Sequence, residues 1–122
     1  MNQPLDTESP DLPFLWDMRE AALGVLRFTR GRSAMELDDD LALRQPVERG
    51  IVIIGRSARL VTPHTQALCP DVAWRQFAGA AALLSDADDG LDAEELWDLV
   101  ARLPDLVRAL SRIMPFEEDA DL

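Results

Sequence analysis

The sequence predicts an all-α protein, an antiparallel helical bundle of four to five main helices with short links. Three observations lead there. Apolar residues recur at helical spacing along most of the chain. Proline, glycine and Ser/Asp capping signals fall between those segments. The one stretch that could be a strand, Ile51-Val-Ile-Ile54, has no second candidate to pair with. A lone strand would leave its backbone groups unsatisfied.

The first helix is expected from about Asp11 to Arg30. Pro13 suits a first turn, and Gly31 fits just past the end. Leu15, Met18, Ala22, Val25, Leu26 and Thr29 supply the buried stripe. Ser33 followed by Glu36 is a capping-box signal for a short helical turn. A long helix follows from about Asp39 to Val61. The run Asp38-Asp39-Asp40 suits the positive end of its dipole better than a metal. Pro46 should kink that helix or delay its start. Pro63 and Pro70 bracket a short helical turn from His64 to Leu68. Ala73 to Leu84 reads as a further helix, rich in alanine, and Ser85 to Gly90 as a loop. Asp92 caps a helix from Ala93 to about Arg102, with Glu94 and Glu95 in its first turn. Pro104 restarts or bends it, and it continues to about Met114. A flexible acidic leader over 1–10 and an acidic tail over 115–122 flank a single helical domain over 11–114.

The chain has 122 residues, 48% of them hydrophobic, enough for one domain with a real core. Its 23 acids against 12 basic residues, all arginine, give a formal charge of −11. Such a field repels a phosphate backbone unless the arginines gather on one face. No apolar run approaches the length of a membrane span, and the N-terminus lacks a signal peptide's basic start and apolar middle. A single cysteine, Cys69, excludes an internal disulfide. These features point to a soluble, acidic, cytoplasmic protein with no membrane partner.

Individual residues announce no active site. His64 is the only histidine and has no oriented partner within ligand or general-base spacing. It reads as an ordinary surface residue. Cys69 reads as a buried or incidental thiol rather than a nucleophile. The loop from Asp86 to Asp92 evokes a calcium-binding hand, but neither register puts oxygen ligands and the glycine where they are needed. Trp16, Trp74 and Trp97 each sit on an expected helix and read as core. No metal and no cofactor are expected.

A set of spacings gives more. The run Cys69-Pro-Asp-Val-Ala-Trp-Arg-Gln-Phe-Ala-Gly79 is followed by Gly90-Leu-Asp92, then Trp97, then Leu103-Pro-Asp-Leu106. In that order and register it resembles the HepT-like family of the HEPN superfamily, over roughly residues 14–114. Upstream, Ile54-Gly-Arg-Ser-Ala58 resembles the family's Ile-Gly-Glu-Ala segment, with Arg56 in place of the usual Glu.

The resemblance implies a HEPN-like helical bundle that forms a homodimer. It implies a metal-independent ribonuclease toxin paired with a nucleotidyltransferase antitoxin of the MntA type. The family's signature is an Arg-Asn pair and a His, with a Tyr two residues later that the antitoxin can modify with AMP. In the dimer the two copies of this signature share a cleft. Carried over residue by residue, the Arg position is Ala81, the Asn position Ala82, the His position Asp86 and the Tyr position Asp88. Methyl groups cannot stabilise charge on a scissile phosphate, and an ordinary carboxylate near RNA repels it. The resemblance therefore implies a degenerate member that binds a nucleotidyltransferase partner, its acidic surface meeting a basic partner face. Ala78, Ala81, Ala82 and Asp86 are the candidates for a dimer or partner interface. The alternative is a ribonuclease with relocated chemistry, built from His64, Asp86, Arg56, Arg59 or Arg75, which alone would make RNA a partner.

Overall fold

A computed structural model describes residues 5–86 and 90–115. Among these there are seven helices and no strand: α1 (Leu12–Thr29), α2 (Ala34–Asp39), α3 (Leu41–Leu60), α4 (Pro63–Leu68), α5 (Trp74–Ser85), α6 (Ala93–Ala101) and α7 (Leu103–Ile113). Five of them are the expected main helices, and α2 and α4 are the two expected short turns. Local chemistry sets the boundaries. Gly31 follows α1 at φ 73°, a conformation open to glycine. The Glu36 carboxylate accepts the Ser33 N–H at 3.1 Å and closes the start of α2. Asp40 accepts the N–H groups of Ala42 and Leu43 at 3.0 and 3.3 Å and caps α3, whereas Asp38 and Asp39 end α2 instead of starting the long helix, because the chain breaks between the two helices at Asp40. Asp92 and Glu95 exchange N–H bonds at the start of α6, at 2.8 and 3.1 Å.

Pro46 does not delay α3, which begins at Leu41 and carries the proline inside. Only the bond that Ala42 would have accepted is lost, near the helix end, and the buried stripe of Leu43, Val47, Ile51 and Ile54 holds the helix in place. That same stripe explains why the possible strand at 51–54 is helical.

The long helix α3 lies at the centre, with α1 and α5 packed on it, while α7 lies against α1 and α2 against α6. α1 and α3 run antiparallel. Asp11, at the start of α1, meets Thr62 just past the end of α3, and Gly50 meets Val25 and Ala21. α1 and α7 are antiparallel too, since Arg19 bonds Ser111 while Leu26 to Arg30 lie beside Val100 to Pro104. The core includes Leu15, Met18, Ile51, Ile54, Phe77, Leu96, Leu103, Leu106, Leu110 and Ile113, all sealed from solvent.

Residues 5–10, expected to belong to a loose leader, form a turn laid on the bundle. The Leu5 side chain packs on the core and its N–H donates to the Ile113 carbonyl. The rest of that segment, 1–4, and the tail residues 116–122 lie outside the described residues. No helix among the described residues is long and apolar enough to cross a membrane.

Candidate functional site at the α3–α5 contact

At Gly55, α3 lies tight against α5. A Cβ placed there would lie 2.1 Å from the Phe77 carbonyl oxygen and 2.5 Å from the Ala81 Cβ. Glycine on α3 facing alanine on α5 is what brings the two backbones together. Ala81 is consequently 2% exposed, covered by α3 of its own chain. Its neighbours on α5 differ: Ala78 is half-buried and Ala82 exposed. Asp86, the C-cap of α5, is exposed as well. Asp88 lies outside the described residues.

Beside this contact is a depression of about 190 Å³, lined by Arg56, Arg59, Ala78, Ala81, Ala82 and Ser85. One rim is guanidinium from α3. The floor is the alanine face of α5. The Arg56 guanidinium donates to the Ser85 Oγ at 3.3 Å. So the structure brings together Ala78, Ala81 and Ala82 with two of the arginines singled out in the sequence. Arg75 is exposed on the first turn of α5 and does not line the depression. Neither does His64, which is exposed on α4.

Charge within these two helices opposes the overall balance. α3 and α5 carry Arg44, Arg49, Arg56, Arg59 and Arg75 against a single acid, Glu48. Arg44 and Glu48 pair at 2.8 Å, and Arg44 also donates to the Leu91 carbonyl. Arg49, Arg59 and Arg75 make no ion pair within 4.0 Å among the described residues. The same two helices expose large aliphatic side chains, Ile53 at 43%, Leu60 at 59% and Leu83 at 41%. Arginine interspersed with aliphatic surface is a composition suited to an interface.

The other candidates are structural. Cys69 is buried, and its thiol lies 3.4 Å from the Ala109 carbonyl. Burial pushes that thiol up from its ordinary value, Asp71 adds to the rise, and Arg112 opposes it. A thiol held protonated is a poor nucleophile. Trp74 is buried and donates Nε1–H to the Cys69 carbonyl at 3.0 Å. Trp16 and Trp97 are half-buried against the core. Among the described residues no three His, Cys, Asp or Glu side chains group as a metal site.

Sequence reading missed Asp11. It is 3% exposed, and its carboxylate accepts the Thr62 N–H at 3.1 Å and the hydroxyls of Thr62 and Thr65 at 2.6 Å each. Burial raises its pKa, but these hydrogen bonds and the nearby His64 outweigh that, so the net shift is downward. The residue clamps the start of α1 to the α3–α4 corner. Nothing in the local pattern around Asp11 marks it, because its partners lie more than fifty residues away.

The chain is 30% identical over 87 residues to a protein of Methanocaldococcus jannaschii named "Putative RNase MJ1380", an overlap that spans 71% of this chain and 80% of that one. No family model matches the chain. No solved structure matches it.

Proposed function

The chain belongs to the ribonuclease-like family of that archaeal protein, and from this premise we propose that it is a HepT-like member that has lost the cutting residues and acts by binding. Its partner is a nucleotidyltransferase of the MntA type in a toxin–antitoxin pair. The observation that carries this reading is the depression at the α3–α5 contact. Ala81 and Ala82 stand there where the resemblance expects Arg and Asn, and no imidazole lines it. A metal-independent cut at RNA needs a group that takes a proton from the 2′-hydroxyl and one that returns it to the leaving oxygen. Arginines stabilise charge but do not exchange protons near neutral pH.

The reading includes a homodimer. Exposed Ile53, Leu60 and Leu83 give α3 and α5 an apolar surface that a second copy would cover. Ala82 and Asp86 are the interface candidates that remain exposed, whereas Ala81 already serves the α3–α5 contact. Co-purification of the tagged protein from its own host tests the partner. A nucleotidyltransferase in the complex is the expected result, and recovery of this chain alone contradicts it.

A second reading has one observation in its favour. Arg56 and Arg59 meet at the depression, which would supply relocated charge for a working ribonuclease. It requires His64, outside that depression, to contribute. RNA cleavage by the protein that vanishes in His64→Ala would establish it.

A further inference from the structure

We propose that the groove between α5 and α6 is the docking site for a basic amphipathic helix of a partner protein. The proposal rests on the reading of this chain as a binding protein, and it names the surface that binds and the chemistry that fits it.

The groove exists because its two walls are held by different neighbours. α5 packs on α3, whereas α6 packs on α2 and α7. Between α5 and α6 remains a furrow of about 340 Å³. Its lining positions are 76, 79, 80 and 83 on α5, and 95, 98, 99 and 102 on α6 and its C-cap. Each set recurs at i, i+3, i+4 and i+7, the spacing of one helix face. Each therefore runs for about 10 Å, two helical turns. Two helical ridges with a furrow between them accept a third helix, whose own ridge enters the furrow.

The furrow is apolar inside. Ala80, Leu91 and Leu99 are buried in its floor, and Leu83 stands exposed at its edge. Gly79 leaves the middle open, since no atom lies within 4 Å of a Cβ placed there. Glycine inside a helix is less stable than alanine, and no contact among the described residues requires it here. It gives an incoming helix a point of close backbone approach.

Charge selects the occupant. The α6 edge of the furrow carries Glu95 and Asp98. One Glu95 oxygen accepts the Asp92 N–H at 3.1 Å, and Asp98 makes no ion pair within 4.0 Å among the described residues. α2, packed on α6, adds the exposed Asp38 and Asp39, and neither helix contains a basic residue. Lysine or arginine beside an apolar stripe complements this edge, and a net charge of −11 draws such a segment in. Arg102 stands one turn past Asp98 at the end of the same ridge. The negative carbonyl end of the incoming helix suits it, which gives the docked helix a direction.

Fluorescence anisotropy of a labelled Leu/Lys peptide, patterned as an amphipathic helix, tests this with the purified full-length protein at physiological salt. A peptide of the same composition with the pattern scrambled is the control. We expect saturable binding of the patterned peptide, about tenfold tighter than of the scrambled one. Gly79→Leu fills the furrow at a position where no atom obstructs it, and should weaken binding about tenfold while circular dichroism shows an unchanged fold. Glu95→Gln/Asp98→Asn, in which glutamine still serves the cap, should weaken it severalfold and make it less sensitive to salt. Asp17→Asn, an exposed acid on α1, should leave it unchanged. Equal binding of the two peptides, or equal binding by Gly79→Leu, overturns the proposal. Conversion of a wild-type dimer to a monomer by Gly79→Leu also overturns it, because a second copy then fills the groove. Co-purification separates the proposal from the partner reading. A nucleotidyltransferase recovered equally with wild type and with Gly79→Leu keeps that reading and overturns the groove as its seat. Peptide binding at the groove with no nucleotidyltransferase recovered keeps the groove and overturns that reading.

Discussion

Asp11 shows how one side chain can hold two ends of a fold. Its two oxygens satisfy three donors from the α3–α4 corner. Replacing it with alanine strands the buried Thr65 hydroxyl and removes the acceptor of the two donors of the more exposed Thr62, a loss of about 2 kcal/mol. The sign of its pH effect follows from the lowered pKa. A group bound less tightly to its proton in the folded state stabilises the fold above its ordinary value of 3.8. That stability is lost as pH falls from there through the lowered folded value. Chemical denaturation at pH 7 and at pH 3 should therefore show a smaller loss on acidification in Asp11→Asn than in the parent. An equal loss would mean that the carboxylate does not carry the effect. Cys69 should stay unreactive to a thiol reagent at neutral pH until the protein unfolds, because burial keeps its proton on.

At the scale of elements, the α3–α5 pair depends on Gly55 having no side chain. A methyl group there would meet backbone, the Phe77 carbonyl at 2.1 Å, which cannot rotate away. Gly55→Ala should cost about 3 kcal/mol and lower the thermal midpoint by several degrees. An unchanged midpoint would show that the helices separate freely. At Gly50 the obstacle is the end of Val25, at 2.3 Å, a side chain rather than backbone. Gly50→Ala should accordingly be the milder change. The elements themselves were legible in the sequence. Caps such as Ser33–Glu36 and Asp92–Glu95 act within four residues, so their chemistry can be read locally. Pro46 was less legible. Its effect depends on whether neighbouring helices hold the segment, and that is decided by α1 and α5. The role of Ala81 was hidden for the same reason. As part of a small-residue run it suggested a surface for another molecule, yet its neighbour is Gly55 of its own chain.

For the whole molecule, the uneven placement of arginine matters more than the total charge. A formal −11 left open whether the arginines gather on one face, and α3 and α5 carry five of them beside exposed aliphatic side chains. The linear order of residues could not show this, because Arg56 and Ser85 meet only when the two helices cross. Exposed Ile53 and Leu60 beside the arginines of α3 suit self-association. Analytical ultracentrifugation should find a dimer, and Ile53→Glu with Leu60→Glu should convert it to a monomer that remains helical. A wild-type monomer at tens of micromolar would remove the dimer from the account.

The most direct trial of the non-cutting assignment is incubation of the purified protein with single-stranded RNA, with and without chelator, followed by analysis of fragment length. The account predicts full-length RNA after long incubation at every protein concentration. Fragments that accumulate with the wild type and disappear in His64→Ala or Arg56→Gln would contradict it.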